Sequence, residues 1–286
     1  VSYIWLIEEN GTYVKFELIN SQFHGKDLLF VEKYMESSKK LIAENTDDNL
    51  RAKVTLSKNI DFVIANGENS AEGNGMIPDS ARRILSSGVD VITGGNHSFR
   101  RREFFQILND NHKILRPYNF PGEKTPGVGF CKSEINGVKI AVINLLGVVY
   151  LESLDNPFRA VDRAIHACSD CKIKIIDFHA EATAEKLAMG YYVDGRVSAV
   201  FGTHTHVQTS DEQILPNGTG YITDVGMTGA ICSVLGVKKE LSIRRMKDKL
   251  PTRFQNADGP CKMECAIFDI DDSTGKTLAV ERLRIL

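Results

Sequence analysis

At 286 residues the chain is long enough for one large α/β domain or two small ones, with a sizeable core. Hydrophobic residues make up 42% and charged residues 25%, and a formal net charge of −2 gives no overall attraction to nucleic acid or to a membrane surface. No apolar run approaches the roughly 18 residues of a membrane span. The opening VSYIWLIEEN carries Glu8 and Glu9 and does not read as a signal peptide, so a cytoplasmic protein is the expectation.

Residues 1–57 form an atypical N-terminal segment, with apolar pieces such as DLLFVEKYM (27–35) followed by a polar, helix-compatible stretch. From 58 to 286 the chain reads as one domain in which short apolar runs alternate with helical segments. DFVIANGEN (61–69) is a β-branched run ending in turn residues, and IPDSARRILSSG (77–88) is a helix with a glycine stop. VDVITGGNH (89–97), VKIAVINLLG (138–147), KIKIIDFHAE (172–181), RVSAVFGTHTH (196–206) and GYITDVGMTG (220–229) repeat the strand design. FRAVDRAIHAC (158–168) and EATAEKLAMGYY (181–192) supply helices between them, and the tail predicts a hairpin through DDSTGK. Apolar runs this continuous predict sheets buried on both faces.

Of the six cysteines, CSDC (168–171) and CKMEC (261–265) have the spacing of two zinc half-sites. Neither has the turn glycines of a zinc knuckle, and Cys265 sits in a strand-like alternation, so reduced thiols are expected.

The chemistry gathers at strand ends. The first run ends at Glu68 and Asn69, the next at Asn96 and His97, and later ones at His179 and at His204 and His206. Ligands of open α/β sheets bind beyond the carboxyl ends of the strands, so four strands delivering such residues form a converging pattern. Neutral imidazoles, an amide oxygen and a carboxylate suit iron, manganese or zinc. If the strand continues through His206, period-two alternation places both imidazoles of HTH on one face. Glycines 67, 94, 95, 202 and 226 lie beside these ends, where a backbone must approach a ligand closely. No dinucleotide-binding or P-loop glycine pattern precedes a helix, and no G-x-S-x-G is present.

NGEN (66–69), GNH (95–97), LRPYNFP (115–121), DFHAEATAEK (177–186), GTHTHVQT (202–209) and YITDVGMTG (221–229) resemble the calcineurin-like metallophosphoesterases over about residues 59–286. Within them the resemblance is to the YmdB-type bacterial branch, whose members act on 2′,3′-cyclic nucleotides and other phosphodiesters. It implies an α/β fold, a two-sheet β-sandwich flanked by helices, with two divalent metal ions, iron or manganese first and zinc as an alternative. By matching motifs, Glu68 would bridge both ions, Asn96, His179 and His204 would complete one shell, and His206 would bind the other. Asn69 would stand at the second ion or its water, and His97 would protonate the leaving oxygen or orient the phosphate. A small phosphodiester is the implied partner, with no membrane and no stable nucleic-acid partner expected.

Two positions depart from the resemblance. An aspartate ligand is expected after the first strand, where Lys33 follows LLFV with Glu32 and Asp27 nearby, and Trp-Asp is usual where Phe99-Arg100 stand. The departure leaves three expectations open: an inactive relative that regulates by binding metal or nucleotide, a ligand role for Glu32 or Asp27, or a head that is not the natural start.

Overall fold

Two sheets packed face to face answer to the continuous apolar strands in the computed structural model. It describes residues 60–71, 73–122 and 124–286, together with the backbone of 3–9 and 12–13; Asp27, Glu32 and Lys33 lie outside the described residues. The first sheet holds β1 (Tyr3–Glu9), β2 (Thr12–Tyr13), β3 (Phe62–Asn66), β4 (Val91–Thr93), β11 (Gly229–Ala230), β12 (Cys261–Ile270) and β13 (Thr277–Ile285). Its order is β11-β12-β1-β3-β4, with β13 on β12 and β2 on β1. The second holds β5 (Phe130–Ile135), β6 (Val138–Leu146), β7 (Ile173–His179), β8 (Ala199–Thr203), β9 (Gln213–Ile214) and β10 (Gly220–Ile222), in the order β5-β6-β7-β8-β10-β9. β6, β7, β8 and β10 run parallel, and β5 and β9 close the edges antiparallel.

Five α-helices accompany the sheets among the described residues: α1 (Pro78–Ser86), α2 (Phe105–Asp110), α3 (Pro157–Ala167), α4 (Thr183–Val193) and α5 (Lys239–Asp248). α3 starts as its sequence demands, with Pro157 in the first turn and Asn156 Oδ1 accepting from the backbone N–H groups of Phe158 and Arg159 at 3.0 and 3.3 Å. Side chains of the second sheet sort by parity. Ile140, Val142, Ile173, Ile175, Ala199 and Phe201 face the first sheet. Ile143, Leu145, Ile176, Phe178 and Val200 pack beneath α3 and α4, against Ala160, Val161, Ala164, Met189 and Val193. Burial on both faces is why these strands show no alternation of apolar and polar residues.

The same parity places the site. Asn66, Thr93, Asn144, Asp177 and Thr203 continue the inward-facing series at the strand ends and are fully buried, so the apolar core between the sheets is capped by polar side chains. β1 lies between β12 and β3 and runs antiparallel to β3, pairing Tyr3 with Asn66 and Ile7 with Phe62. It therefore turns Glu8 and Glu9 away from the edge where β3 ends. The expected hairpin is present as β12 and β13.

Candidate active site

Glu68 follows β3 in a turn whose backbone N–H donates to Asn66 Oδ1 at 3.1 Å. Its two carboxylate oxygens face different neighbours. Oε1 accepts the backbone N–H of His97 at 2.8 Å and stands 3.2 Å from His97 Nδ1. Oε2 accepts from Asn69 Nδ2 at 2.9 Å and stands 3.5 Å from His179 Nε2. Asn69 Oδ1 lies 3.0 Å from His97 Nδ1. The end of β7 brings His179 into this group, where its Nε2 is 3.0 Å from Asn96 Oδ1 and 3.1 Å from His204 Nδ1. Gly95 lets the ring in, because a side chain there would overlap the imidazole. The structure thus brings together Glu68, Asn69, Asn96, His97, His179 and His204. His206 lies close enough for the charges of His204 and His97 to act on it.

The route of the two terminal histidines differs from the same-face expectation. β8 stops at Thr203, and His204 and His206 both have positive φ, +100° and +67°. Thr203 already faces inward, so a continuing strand would send His204 to the helix-covered face; the left-handed backbone at His204 returns it to the site. Two non-glycine residues in that region cost about 1–3 kcal/mol each, strain of a kind that collects at functional sites. Asp224 holds the turn, accepting from the Thr205 backbone N–H at 3.1 Å and its hydroxyl at 2.8 Å. A buried ion pair, 2.7 Å from Lys186 Nζ on α4, fixes Asp224 in turn.

Protonation follows from the hydrogen bonds. Thr203 Oγ1 donates its single proton to Asp177 Oδ1 at 2.7 Å, so it accepts from His179 Nδ1, 2.9 Å away. That tautomer, inferred from the network, leaves a lone pair on His179 Nε2. His204 is oriented likewise: its Nε2 is 2.9 Å from Glu181 Oε2, which leaves the lone pair on Nδ1. Asp177 also accepts from Thr93 Oγ1 at 2.5 Å and Asn66 Nδ2 at 2.9 Å, tying the first sheet to the second. Burial dominates the titration of the whole group. It lifts Glu68 and Asp177 to about 7, lowers His97 to about 4 and His206 to about 3, and pulls His179 well down. Arg100 and His204 lower His97 further. Metal-free, these imidazoles are neutral at pH 7.

Asn96 Oδ1, His204 Nδ1 and Glu68 Oε2 therefore gather around the lone pair of His179 Nε2. That arrangement is repulsive unless a cation sits among them. Ligands held at about 2.1 Å by one ion stand roughly 3.0–3.5 Å apart, the spacing His179 Nε2 has from its three neighbours. Among the described residues no three His, Cys, Asp or Glu side chains by themselves enclose an ion. The amide oxygen of Asn96 belongs to this set, and the donors rest against one another. The donor chemistry fits a divalent metal.

Sequence reasoning missed the supports: Asp177, Thr203, Glu181, Lys186 and Asp224. A signal for two of them existed, since Asp177 lies two residues before His179 and Thr203 shares its inward parity, the same face of adjacent strands. No disulfide joins the cysteines, and Cys131, Cys168, Cys171 and Cys265 are buried away from the site.

A family model described as "YmdB-like protein" matches residues 45–283. A Bacillus subtilis (strain 168) protein named 2′,3′-cyclic-nucleotide 2′-phosphodiesterase is 49% identical over 225 residues, 78% of this chain and 85% of the relative. Two solved structures are similar along the whole chain. A phosphatase from Mycoplasma pneumoniae has a TM-score of 0.79 at 29% identity, with 94% of its own length covered. A hypothetical protein from Thermus thermophilus has a TM-score of 0.77 at 31% identity, with 99% covered. With the two-sheet fold and the strand-end cluster in place, the chain belongs to the YmdB-like family of metallophosphoesterase-type hydrolases.

Proposed function

We propose that the chain is a metal-dependent phosphodiesterase that hydrolyses small phosphodiesters, 2′,3′-cyclic nucleotides first among them, at a centre for two divalent ions, iron or manganese. The observation that carries the reading is the gathering of the Glu68 carboxyl, the Asn96 amide oxygen and the His204 Nδ1 lone pair around the unprotonated Nε2 of His179. The name of the Bacillus relative supports the substrate. The catalytic unit in this reading is the domain of residues 58–286, completed by β1 between β12 and β3.

Glu68 would be held in common by the two ions, Asn96, His179 and His204 would complete one shell, and His206 and Asn69 would serve the other. Bound divalent ions supply positive charge against the phosphate and bring the pKa of a water near neutrality. Thr203 and Glu181 keep the lone pairs of His179 and His204 aimed at the site. His97 directs Nδ1 to Asn69 and Glu68, which leaves Nε2 for the substrate. Its ring is neutral in the free protein, and an anionic phosphate in place favours its protonation. The proton would then pass to the departing ribose oxygen as the P–O ester bond breaks and the hydroxyl of water joins phosphorus, the water's own proton having left to solvent.

Elemental analysis and turnover of a 2′,3′-cyclic nucleotide test this together. About two equivalents of metal per chain are expected, with metal and activity both lost in folded His204→Ala and Glu68→Ala proteins. Full activity in either variant, or a folded, metal-loaded parent that hydrolyses no phosphodiester, overturns the reading.

A further inference from the structure

The near-neutral charge of the chain conceals a local surplus. Between Ile231 and Pro260, the connection from β11 to β12 carries seven Lys and Arg against three Asp and Glu. Its root is clasped by backbone bonds from Lys238 N to Gln255 O at 2.9 Å and from Ala257 N to Gly236 O at 2.8 Å. Beyond the root, α5 buries only Ser242, and every residue from 243 to 251 is exposed. A helix of ten residues is marginal in water on its own. This one also shows solvent Ile243 and Met246, 58% and 65% exposed, with Leu250 and Phe254 just beyond it at 58% and 51%. Apolar residues exposed at that density mark a surface for a partner.

The charges say which partner. Within the arm the ion pairs are Lys238 with Asp258 at 3.2 Å and Lys239 with Glu240 at 3.9 Å. Arg244, Lys247, Lys249 and Arg253 have no carboxylate partner among the described residues. A two-fold contact between α5 helices of two copies would set these cations against one another. A polyanion satisfies them, and bases can stack on Phe254.

Position links the arm to the site. β12 runs antiparallel to β3 through their shared neighbour β1, so β12 begins at the edge where β3 ends in Asn66. The returning stretch of the arm touches the loop that follows Glu68 and Asn69: a side chain built on Gly73 would lie 3.7 Å from Asn256 Oδ1, and Gly73 N donates to Asn69 O at 3.1 Å. On the same loop, Arg101 Nε donates to Asn74 O at 3.1 Å, and Gly75 packs against the stems of Arg100 and Arg101. Arg100 and Arg102 are exposed. One loop beside the site therefore joins two groups of cations.

We infer that this rim binds the sugar–phosphate backbone of a single-stranded oligoribonucleotide and delivers its 3′-terminal 2′,3′-cyclic phosphate to the site. The inference rests on the phosphodiesterase reading and extends it from mononucleotides to the ends of RNA chains. Hydrolysis there is the same step, with water adding to phosphorus and one ribose oxygen leaving with a proton.

The test compares an oligouridylate of about six nucleotides ending in a 2′,3′-cyclic phosphate with the cyclic mononucleotide, on metal-loaded full-length protein. At low salt kcat/KM for the oligomer is expected to exceed that for the mononucleotide by about tenfold or more and to fall steeply with salt. The variant R244Q/K247Q/K249Q/R253Q, altered only at exposed positions, should erase that advantage and leave the mononucleotide rate unchanged. No oligomer preference, or one that survives in the variant, overturns the inference. So does a parent in which the arm instead mediates self-association by light scattering or binding to anionic vesicles, with no oligomer affinity. Fluorescence anisotropy with a 3′-hydroxyl oligouridylate reads the rim apart from turnover. Salt-dependent binding that the variant loses, without hydrolysis of either substrate, would sink the phosphodiesterase reading and keep the rim; hydrolysis of the mononucleotide without oligomer binding would do the reverse.

Discussion

Glu68 is a carboxylate with no exposed surface, and burial lifts it to about 7 where 4.5 is ordinary. In metal-free protein, folding therefore disfavours its ionised form. Stability is lost as the pH rises from about 4.5 to about 7 and the deficit is constant above that. Glutamine does not titrate, so the stability of Glu68→Gln relative to the parent should grow through that window, approaching about 3 kcal/mol. Urea denaturation in chelator at several pH values measures it, and parallel curves for the two proteins would refute the burial argument. Added manganese should reverse the order, because the parent then gains a ligand bond that the amide weakens. Glu68 and the other strand-end candidates were legible because each stands after an apolar run, at the edge where ligands bind. Asp177 and Thr203 gave only the weaker signal of parity shared with His179, which separates a buried polar support from a core residue once the neighbouring strands are aligned.

At the scale of elements, the turn after β8 does the work that a straight strand cannot. His204 and His206 reach the site only through left-handed backbone, and the strain is held by Asp224 gripping Thr205. The HTH spacing was readable, but its cause was not: alternation along a strand gave the same-face answer, whereas the contacts come from a turn braced by residues about twenty positions away. Lys186 and Asp224 are both buried, 1% and 0% exposed by side chain, so each is the compensation for the other. Lys186→Met should cost about 3–5 kcal/mol by leaving Asp224 uncompensated. The double variant Lys186→Met/Asp224→Asn should recover most of that stability in urea while still losing metal affinity, since the grip on Thr205 is weakened. A double variant destabilised by the sum of the two single losses would show that the pair acts as two independent residues. Gly202 belongs to the same brace, because a side chain there would overlap the carbonyl of Thr223.

Across the whole molecule, the alternating strand and helix pattern foretold the layers, while the chain-wide charge hid the basic arm by averaging it against acidic residues elsewhere. The donor set itself is divided between layers. Glu68 and Asn96 follow β3 and β4 of the first sheet, while His179 ends β7 and His204 follows β8 of the second. The hydrogen bonds from Asn66 and Thr93 to Asp177 cross the same gap beneath them. An ion held by these donors is thus a cross-link between sheets, and its binding energy adds to the stability of their packing. At a free metal concentration about 100 times Kd the gain is about 2.7 kcal/mol, or roughly 5–10 °C in Tm for a domain of this size. Chelator should lower the Tm of the parent by that amount. Because the link needs both sides, Glu68→Ala on one sheet and His204→Ala on the other should each abolish most of the chelator-dependent shift, despite sharing no strand. If one variant kept the full shift, the ion would be held by a single layer and the joint between the sheets would rest on Asp177 and its partners alone.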